Sequence, residues 1–197
     1  HEVRHEDGGL PAITSIHTHP RYVLTLRICA DDHADVVRIE ARLEDRRDPA
    51  DPARAAHPLR LYPLLAPHLG PDGAGCRAWR GAHRGRAMIF AQNGPSTLAL
   101  AADPEPLRQS VGHVGTSDGW QDFAVDGRMT WAYARTEAGN VAGMMELALD
   151  DGAAQIALAF GASPVEAGMQ ASAALAGRFQ GAWDEYVGNW RRFARTV

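Results

Sequence analysis

Between residues 13 and 160 no apolar pattern runs long: short alternations of apolar and polar side chains are cut repeatedly by Gly, Pro, Asp and Asn. Alternation with a period of two sends successive side chains to opposite faces. A chain that also turns this often buries an apolar face by stacking sheets, so the pattern predicts an all-β sandwich or barrel. In residues 21–29, Tyr22, Leu24, Leu26 and Ile28 share one face, and Arg21, Val23, Thr25 and Arg27 share the other. Residues 37–44 repeat this, with Val37, Ile39, Ala41 and Leu43 opposed to Arg38, Glu40, Arg42 and Glu44. Both segments read as half-buried antiparallel strands with a solvated Arg and Glu face. Residues 59–66 begin as a strand, but Pro63 cannot donate to a ladder, so this strand is expected at an edge, bulged or ended there. Residues 86–92 are expected to pair with 97–102 across Asn93-Gly94-Pro95-Ser96, and residues 129–135 with 141–149; residues 153–160 supply a last apolar strand.

The period changes after Gly161. Ser163 is placed to cap a helix, Pro164 suits the first helical position, and Glu166 completes a capping box. Met169, Ala173, Leu175, Phe179, Trp183, Tyr186 and Trp190 then recur at helical spacing, and Gly177 and Gly181 predict one long helix broken between them. The aromatic end of this helix, Trp183, Tyr186, Trp190 and Phe193, has the composition of a surface that packs on something. The chain therefore divides into a β domain over residues 1–162 and a helical segment over 163–197. Residues 45–57, charged and Pro-rich, read as an exposed loop, as do Gly8-Gly9, residues 70–75 and the whole of residues 111–123.

Composition removes several function classes. All 20 basic residues are Arg, since the sequence has no Lys, so Schiff-base chemistry is excluded. They are scattered among 24 acids at a net charge of −4, without the basic block of a nucleic-acid binder. No segment approaches the roughly 20 apolar residues of a membrane span, and residues 1–7 do not form a signal peptide. The chain is expected to be soluble, with its compartment undetermined. The two cysteines, Cys29 and Cys76, lie outside any C-x-x-C pattern and read as buried thiols. At this length the core suffices without disulfides or a structural metal.

The richest polar segment is Ser117-Asp118-Gly119-Trp120-Gln121-Asp122, with His113 just before it. Sugars are bound by planar hydrogen-bonding groups beside an aromatic face, and this segment holds both. It also has a purely structural reading: Ser117 and Asp118 in turn hydrogen bonds, Gly119 at a positive φ, and Trp120 plugging an interface. Asp118 and Asp122, four positions apart in one loop, are poorly spaced for the opposed acid and base of a glycosidase. His17 and His19 would point to one side of a strand, and Asp31, Asp32 and His33 lie in a second polar turn, yet the spacing selects no third ligand, so no metal site is assigned. No phosphate-cradling Gly loop and no Gly-x-Ser-x-Gly elbow is present.

Taken in order, several segments resemble the N-terminal β-sandwich domain of bacterial and archaeal glucoamylases and glucodextranases, glycoside hydrolase family 15. These are residues 31–35 and 38–44, 60–69 (Arg-Leu-Tyr-Pro-Leu-Leu-Ala-Pro-His-Leu), 98–102, 111–122 (Val-Gly-His-Val-Gly-Thr-Ser-Asp-Gly-Trp-Gln-Asp), 128–131, 139–142 and 158–161. The resemblance spans nearly the whole chain, and residues 62–69 and 112–122 are its most specific parts. It implies an antiparallel β-sandwich of the galactose mutarotase-like supersandwich type, joined by a linker helix to an (α/α)6 barrel that carries the two catalytic glutamates of an inverting exo-hydrolase acting on α-glucans. The first strands of the family's domain would precede His1. Pro63 and the lengthened residues 45–58 depart from the family's pattern and put local strand pairing in question.

On this reading the chain itself is not catalytic. It stabilises the barrel, its partner in the same polypeptide, and shapes the active-site rim through Ser117, Asp118, Trp120, Gln121, Asp122 and His113, while Trp183, Tyr186, Trp190 and Phe193 form an interface helix. No cofactor is assigned, calcium is given no ligands, and neither nucleic acid nor membrane is a partner. Three rivals stand beside it. The same loop would bind α-glucan or maltooligosaccharide directly in a carbohydrate-binding module; His113 with Asp118 or Asp122 would supply the acid–base pair of a mutarotase-type epimerase; or the domain is a structural interaction module with no sugar near it. Linkage preference, α-1,4 or α-1,6, belongs to the barrel.

Overall fold

The structure, a computed structural model, describes residues 1–7, 9–70, 73–149 and 151–196. Gly8, Pro71, Asp72 and Val197, assigned from sequence to two loops and to the end of the helical segment, lie outside the described residues. In chain order the elements are β1 (Glu2–Glu6), β2 (Leu10–His19), β3 (Tyr22–Ala30), β4 (Val36–Asp45), α1 (Pro52–Ala56), β5 (Arg60–Leu61), β6 (Leu64–Leu65), β7 (Arg77–His83), β8 (Arg86–Asn93), β9 (Ser96–Asp103), β10 (Arg108–His113), α2 (Gly119–Asp126), β11 (Val141–Ala148), β12 (Ala153–Gly161), α3 (Pro164–Ala176) and α4 (Phe179–Ala194). The strands form two antiparallel sheets. The larger has the order β1-β2-β3-β4-β12-β9-β8-β7; in the smaller, β11 pairs with β10, β5 and β6. Pro63 separates β5 from β6, as its missing donor requires, while its carbonyl accepts from Met145 N at 3.0 Å.

The sandwich core lies between the sheets. Ile89, Ala91, Leu98, Leu100, Ala154 and Ile156 of the large sheet meet Val111, Val141, Met145 and Leu147 of the small one. A third layer covers the opposite face of the large sheet. Ala99, Ala101, Ala157 and Ala159 face outward from β9 and β12, and α3 lays Ala167, Ala171 and Ala174 on them; small side chains on both surfaces let helix and sheet approach closely. Beside it α4 buries Phe179, Trp183, Tyr186 and Val187 on Ala12 and Cys29. Strands of the large sheet are thus covered on both faces, which explains the continuous apolar run of β9. Cys29 and Cys76 are both buried free thiols, and burial pushes the Cys29 thiol up to about 11.

Four expectations need correction. The Arg and Glu face of β3 and β4 is solvated only in part: Arg38 and Glu40 are each only 8% exposed, Arg38 reaching the end of α3 and Glu40 held by Arg27 and Arg42, while Arg42 and Glu44 stay exposed. Residues 111–123 are not one loop, since they contain the end of β10 and the start of α2. Residues 129–135 form no strand beside β11. The amides of Thr130 and Trp131 both donate to the Asp122 carboxylate, at 2.6 and 2.7 Å, and are lost to any ladder; Arg135 alone bridges to Trp79. Residues 45–57, read as loop, contain α1, capped by Asp51. The predicted break in the C-terminal helix is present as the gap between α3 and α4, and the Ser163 cap is confirmed, its hydroxyl accepting from Glu166 N at 3.2 Å. Strands β1 and β7 and most of β2 escaped the sequence pattern because their faces are mixed. No helix among the described residues is long and apolar enough to cross a membrane.

Candidate functional site

Helix α2 and the segment after it form the outer cover of the small sheet. The strand β10 ends at His113, whose amide donates to the Ser117 hydroxyl at 3.0 Å while its carbonyl accepts from Thr116 N and Ser117 N. The chain reverses so tightly that a Cβ on Gly112 would lie 1.9 Å from the Ser117 carbonyl oxygen; no side chain fits there. Asp118 is the N-cap of α2, its carboxylate accepting from Trp120 N at 2.9 Å and Gln121 N at 3.1 Å, and also from Gly115 N. Gly119 lies against Met144 of β11, where a Cβ would stand 2.5 Å from its sulfur. The helix therefore sits on the sheet at backbone distance.

Asp122 is 0% exposed. Besides the two amides of residues 130 and 131, it takes the Thr130 hydroxyl at 2.5 Å. Burial pushes its carboxyl up, but the Thr130 hydroxyl and the Trp131 and Thr130 amides outweigh burial and hold the group below the ordinary aspartate value. Asp118 and Asp122 are thus both spent on local backbone donors. The epimerase assignment, in which one of them would pair with His113, is not what the geometry builds: His113 Nε2 lies 3.2 Å from the Glu137 carbonyl oxygen instead.

What α2 presents outward is aromatic. Trp120 is 54% exposed and stacks on Phe123, with centroids 6.0 Å apart and planes 24° from parallel. Phe123 in turn meets Tyr62 at 4.9 Å. Burial, together with the Glu146 carboxylate, pushes the Tyr62 phenol up, so this ring stays neutral. The row Trp120, Phe123, Tyr62 leads into a groove of about 500 Å³ between the sheets, lined also by Tyr22, Leu24, His19, His57 and Arg60. Tyr62 and Phe123 were not singled out from sequence. Asp118 followed by Gln121 at the third helical position is a capping-box pattern, and reading it as a helix start would have put Phe123 one turn beyond Trp120.

The remaining predicted residues are dispersed. Ser117 and Gln121 flank the α2 cap. Trp183 and Tyr186 are buried against this chain's own sheet and are not free to form an interface, whereas Trp190 is half-buried and Phe193 is 59% exposed at the end of α4. His17 and His19 do lie on one side of β2, where both rings pack near Tyr22. Among the described residues no three His, Cys, Asp or Glu side chains converge to hold a metal ion.

A family model described as "Glucodextranase, domain N" matches residues 1–195. A crystal structure of a bacterial glucoamylase complexed with acarbose superposes with a TM-score of 0.88 at 21% sequence identity, over 98% of this chain and 28% of that one. The chain thus spans little more than a quarter of the length of the glucoamylase it matches. No curated protein sequence matches it.

Proposed function

Because the chain belongs to the glucodextranase domain N family, we propose that it acts as the non-catalytic sandwich domain of a glucoamylase-like exo-hydrolase, stabilising an (α/α)6 catalytic barrel in the same polypeptide and shaping the rim of its active site. The observation that carries this reading is the family match over residues 1–195, supported by a fold shared with one part of a much longer glucoamylase. The geometry of α2 agrees with a supporting role. Its two aspartates hold the backbone, and its exposed ring, Trp120, is offered on a rigid helix rather than a mobile loop. Pre-organised aromatic surface of this kind suits packing beside a sugar or another domain, because little side-chain freedom is lost on contact. The free end of α4, with Phe193 and Trp190, is the second contact assigned to the barrel.

The reading is tested in the longer polypeptide that carries this chain. Trp120→Ala is expected to raise KM for maltooligosaccharides several-fold or to lower the melting temperature of the enzyme, and Phe193→Ala to affect the melting temperature alone. If Trp120→Ala leaves both oligosaccharide kinetics and melting temperature unchanged, α2 is neither rim nor interface.

A further inference from the structure

The outer edge of β7 carries a second cluster, on the opposite side of the molecule's large sheet from the sandwich core. Residues 134–136 run antiparallel beside β7, with Arg80 N donating to the Ala134 carbonyl and Thr136 N to the Ala78 carbonyl, both at 2.8 Å. The Trp79–Arg135 bridge sets the register, and β8 lies on the other side of β7 with Trp79 opposite Phe90 and Arg77 opposite Gln92. Because side chains alternate across a strand, this register puts two rows on one face: Phe90, Trp79, Arg135, and next to it Gln92, Arg77, Glu137. Except for the buried Phe90, all of these line a depression of about 820 Å³.

Their chemistry is specific. Trp79 is stacked on Phe90, centroids 5.6 Å apart and planes 17° from parallel, which holds the indole, and the register sets Arg135 beside Trp79 on the side away from Phe90. No guanidinium lies over that face among the described residues, although Arg27 is drawn over Trp183 elsewhere in the molecule. The side chains of Arg77, Gln92, Arg135 and Glu137 make no hydrogen bond or ion pair among the described residues, in a chain whose arginines are otherwise widely paired. Two guanidinium groups, an amide and a carboxylate therefore stand free beside a held aromatic ring.

We propose that this depression binds the pyranose ring of a neutral saccharide. Vicinal hydroxyls are donors and acceptors at once and match a floor that offers both: Arg77 and Arg135 donate, Glu137 accepts, and Gln92 does each. A phosphate or sugar carboxylate offers acceptors only, would face the Glu137 carboxylate, and would leave the Gln92 carbonyl unserved. The C–H face of the ring stacks on Trp79. None of the residues lining this depression belongs to α2, so the site stands or falls independently of the rim reading.

The test is titration of the 197-residue chain with maltoheptaose by calorimetry, with glucose 1-phosphate as the anionic probe. Saturable binding of maltoheptaose is expected, weakened about tenfold by Arg77→Ala and by Arg135→Ala, the loss of one charged hydrogen-bonding partner each. Binding should be unchanged in Arg195→Ala, an exposed arginine just after α4. Arg77 and Arg135 are on the surface, so these variants retain the fold, which a melting curve checks. Trp79→Phe keeps the stack on Phe90 while shrinking the platform, and is expected to weaken binding less than Trp79→Leu. Absence of saturable binding, binding that survives both arginine substitutions, or binding of glucose 1-phosphate in place of maltoheptaose would each overturn the proposal.

Discussion

Asp118 and Asp122 show how two like residues, one helical turn apart, take different duties. Asp118 caps the start of α2; Asp122 reaches out of that helix and holds residues 130 and 131. Replacing a buried carboxylate by an amide leaves donor facing donor, so Asp122→Asn is expected to cost about 3 kcal/mol, read from urea unfolding at pH 7. The pH dependence has a definite sign. The folded-state pKa of Asp122 lies below its unfolded value, as does that of Asp45, which the Arg47 guanidinium holds at about 2. Their stabilisation is complete above the unfolded aspartate value near 4 and is lost as pH falls through the folded values. The urea midpoint of the wild type should therefore drop between pH 5 and pH 2.5, and drop less in Asp122→Asn; an equal drop would remove Asp122 from the linkage. Gly112→Ala drives a methyl group into the Ser117 carbonyl, a backbone atom that cannot swing aside. A loss of about 3 kcal/mol is expected in the same unfolding experiment.

At the scale of elements, the joint between helices and sheet is made by arginines. Arg38 reaches from β4 to the carbonyls of Ala174 and Gly177, satisfying the end of α3, and its other nitrogen bonds Asp31 at 3.2 Å. Orphan carbonyls in a helix's last turn need such a donor when buried. Arg27 bonds Gln180 at 2.7 Å and lies 4.2 Å from the Trp183 ring, tying β3 to α4. Arg38→Met keeps the volume but leaves those carbonyls unpaired. It is expected to destabilise by about 2 kcal/mol, with faster hydrogen exchange in α3 and α4 than in β9. Uniform acceleration would mean that the joint is not local. The pattern of β4 was read correctly as a strand, but its polar face is solvated only at Arg42 and Glu44 and covered at Arg38 and Glu40, because alternation reports period and not what covers the second face. In the same way residues 129–135 have strand composition, and Asp122 takes their amides.

For the whole molecule, the helical layer closes the domain rather than merely leading away from it. A chain ended at Ala162 would expose Met88, Phe90, Ala99 and Ala101 together with Ala12 and Cys29, an apolar face on the large sheet. Such a truncation is expected to bind a hydrophobic dye and to aggregate at concentrations where the full chain stays monodisperse in size-exclusion chromatography. A monodisperse, dye-negative truncation would show that α3 and α4 are dispensable for the sandwich. Much of the architecture was legible in the residues alone. Period-two runs marked β3 and β4, short runs between turn residues marked β8, β9, β11 and β12, Pro63 broke a strand, Ser163-Pro164-x-Glu166 opened a helix, and a glycine split it; each is a short-range effect of side-chain period, backbone sterics, missing donors or caps. The aromatic and acidic residues around Trp120 were visible too. What tertiary structure decided was partnership across distance. It buried Arg38 under a helix more than a hundred residues later, turned Trp183 and Tyr186 inward, and sent the Asp122 carboxylate to a segment that would otherwise have made a strand. It also set Trp79, Arg77, Gln92, Arg135 and Glu137 side by side. A sequence displays the period of its side chains, but burial and hydrogen bonding depend on which surfaces the folded chain brings into contact.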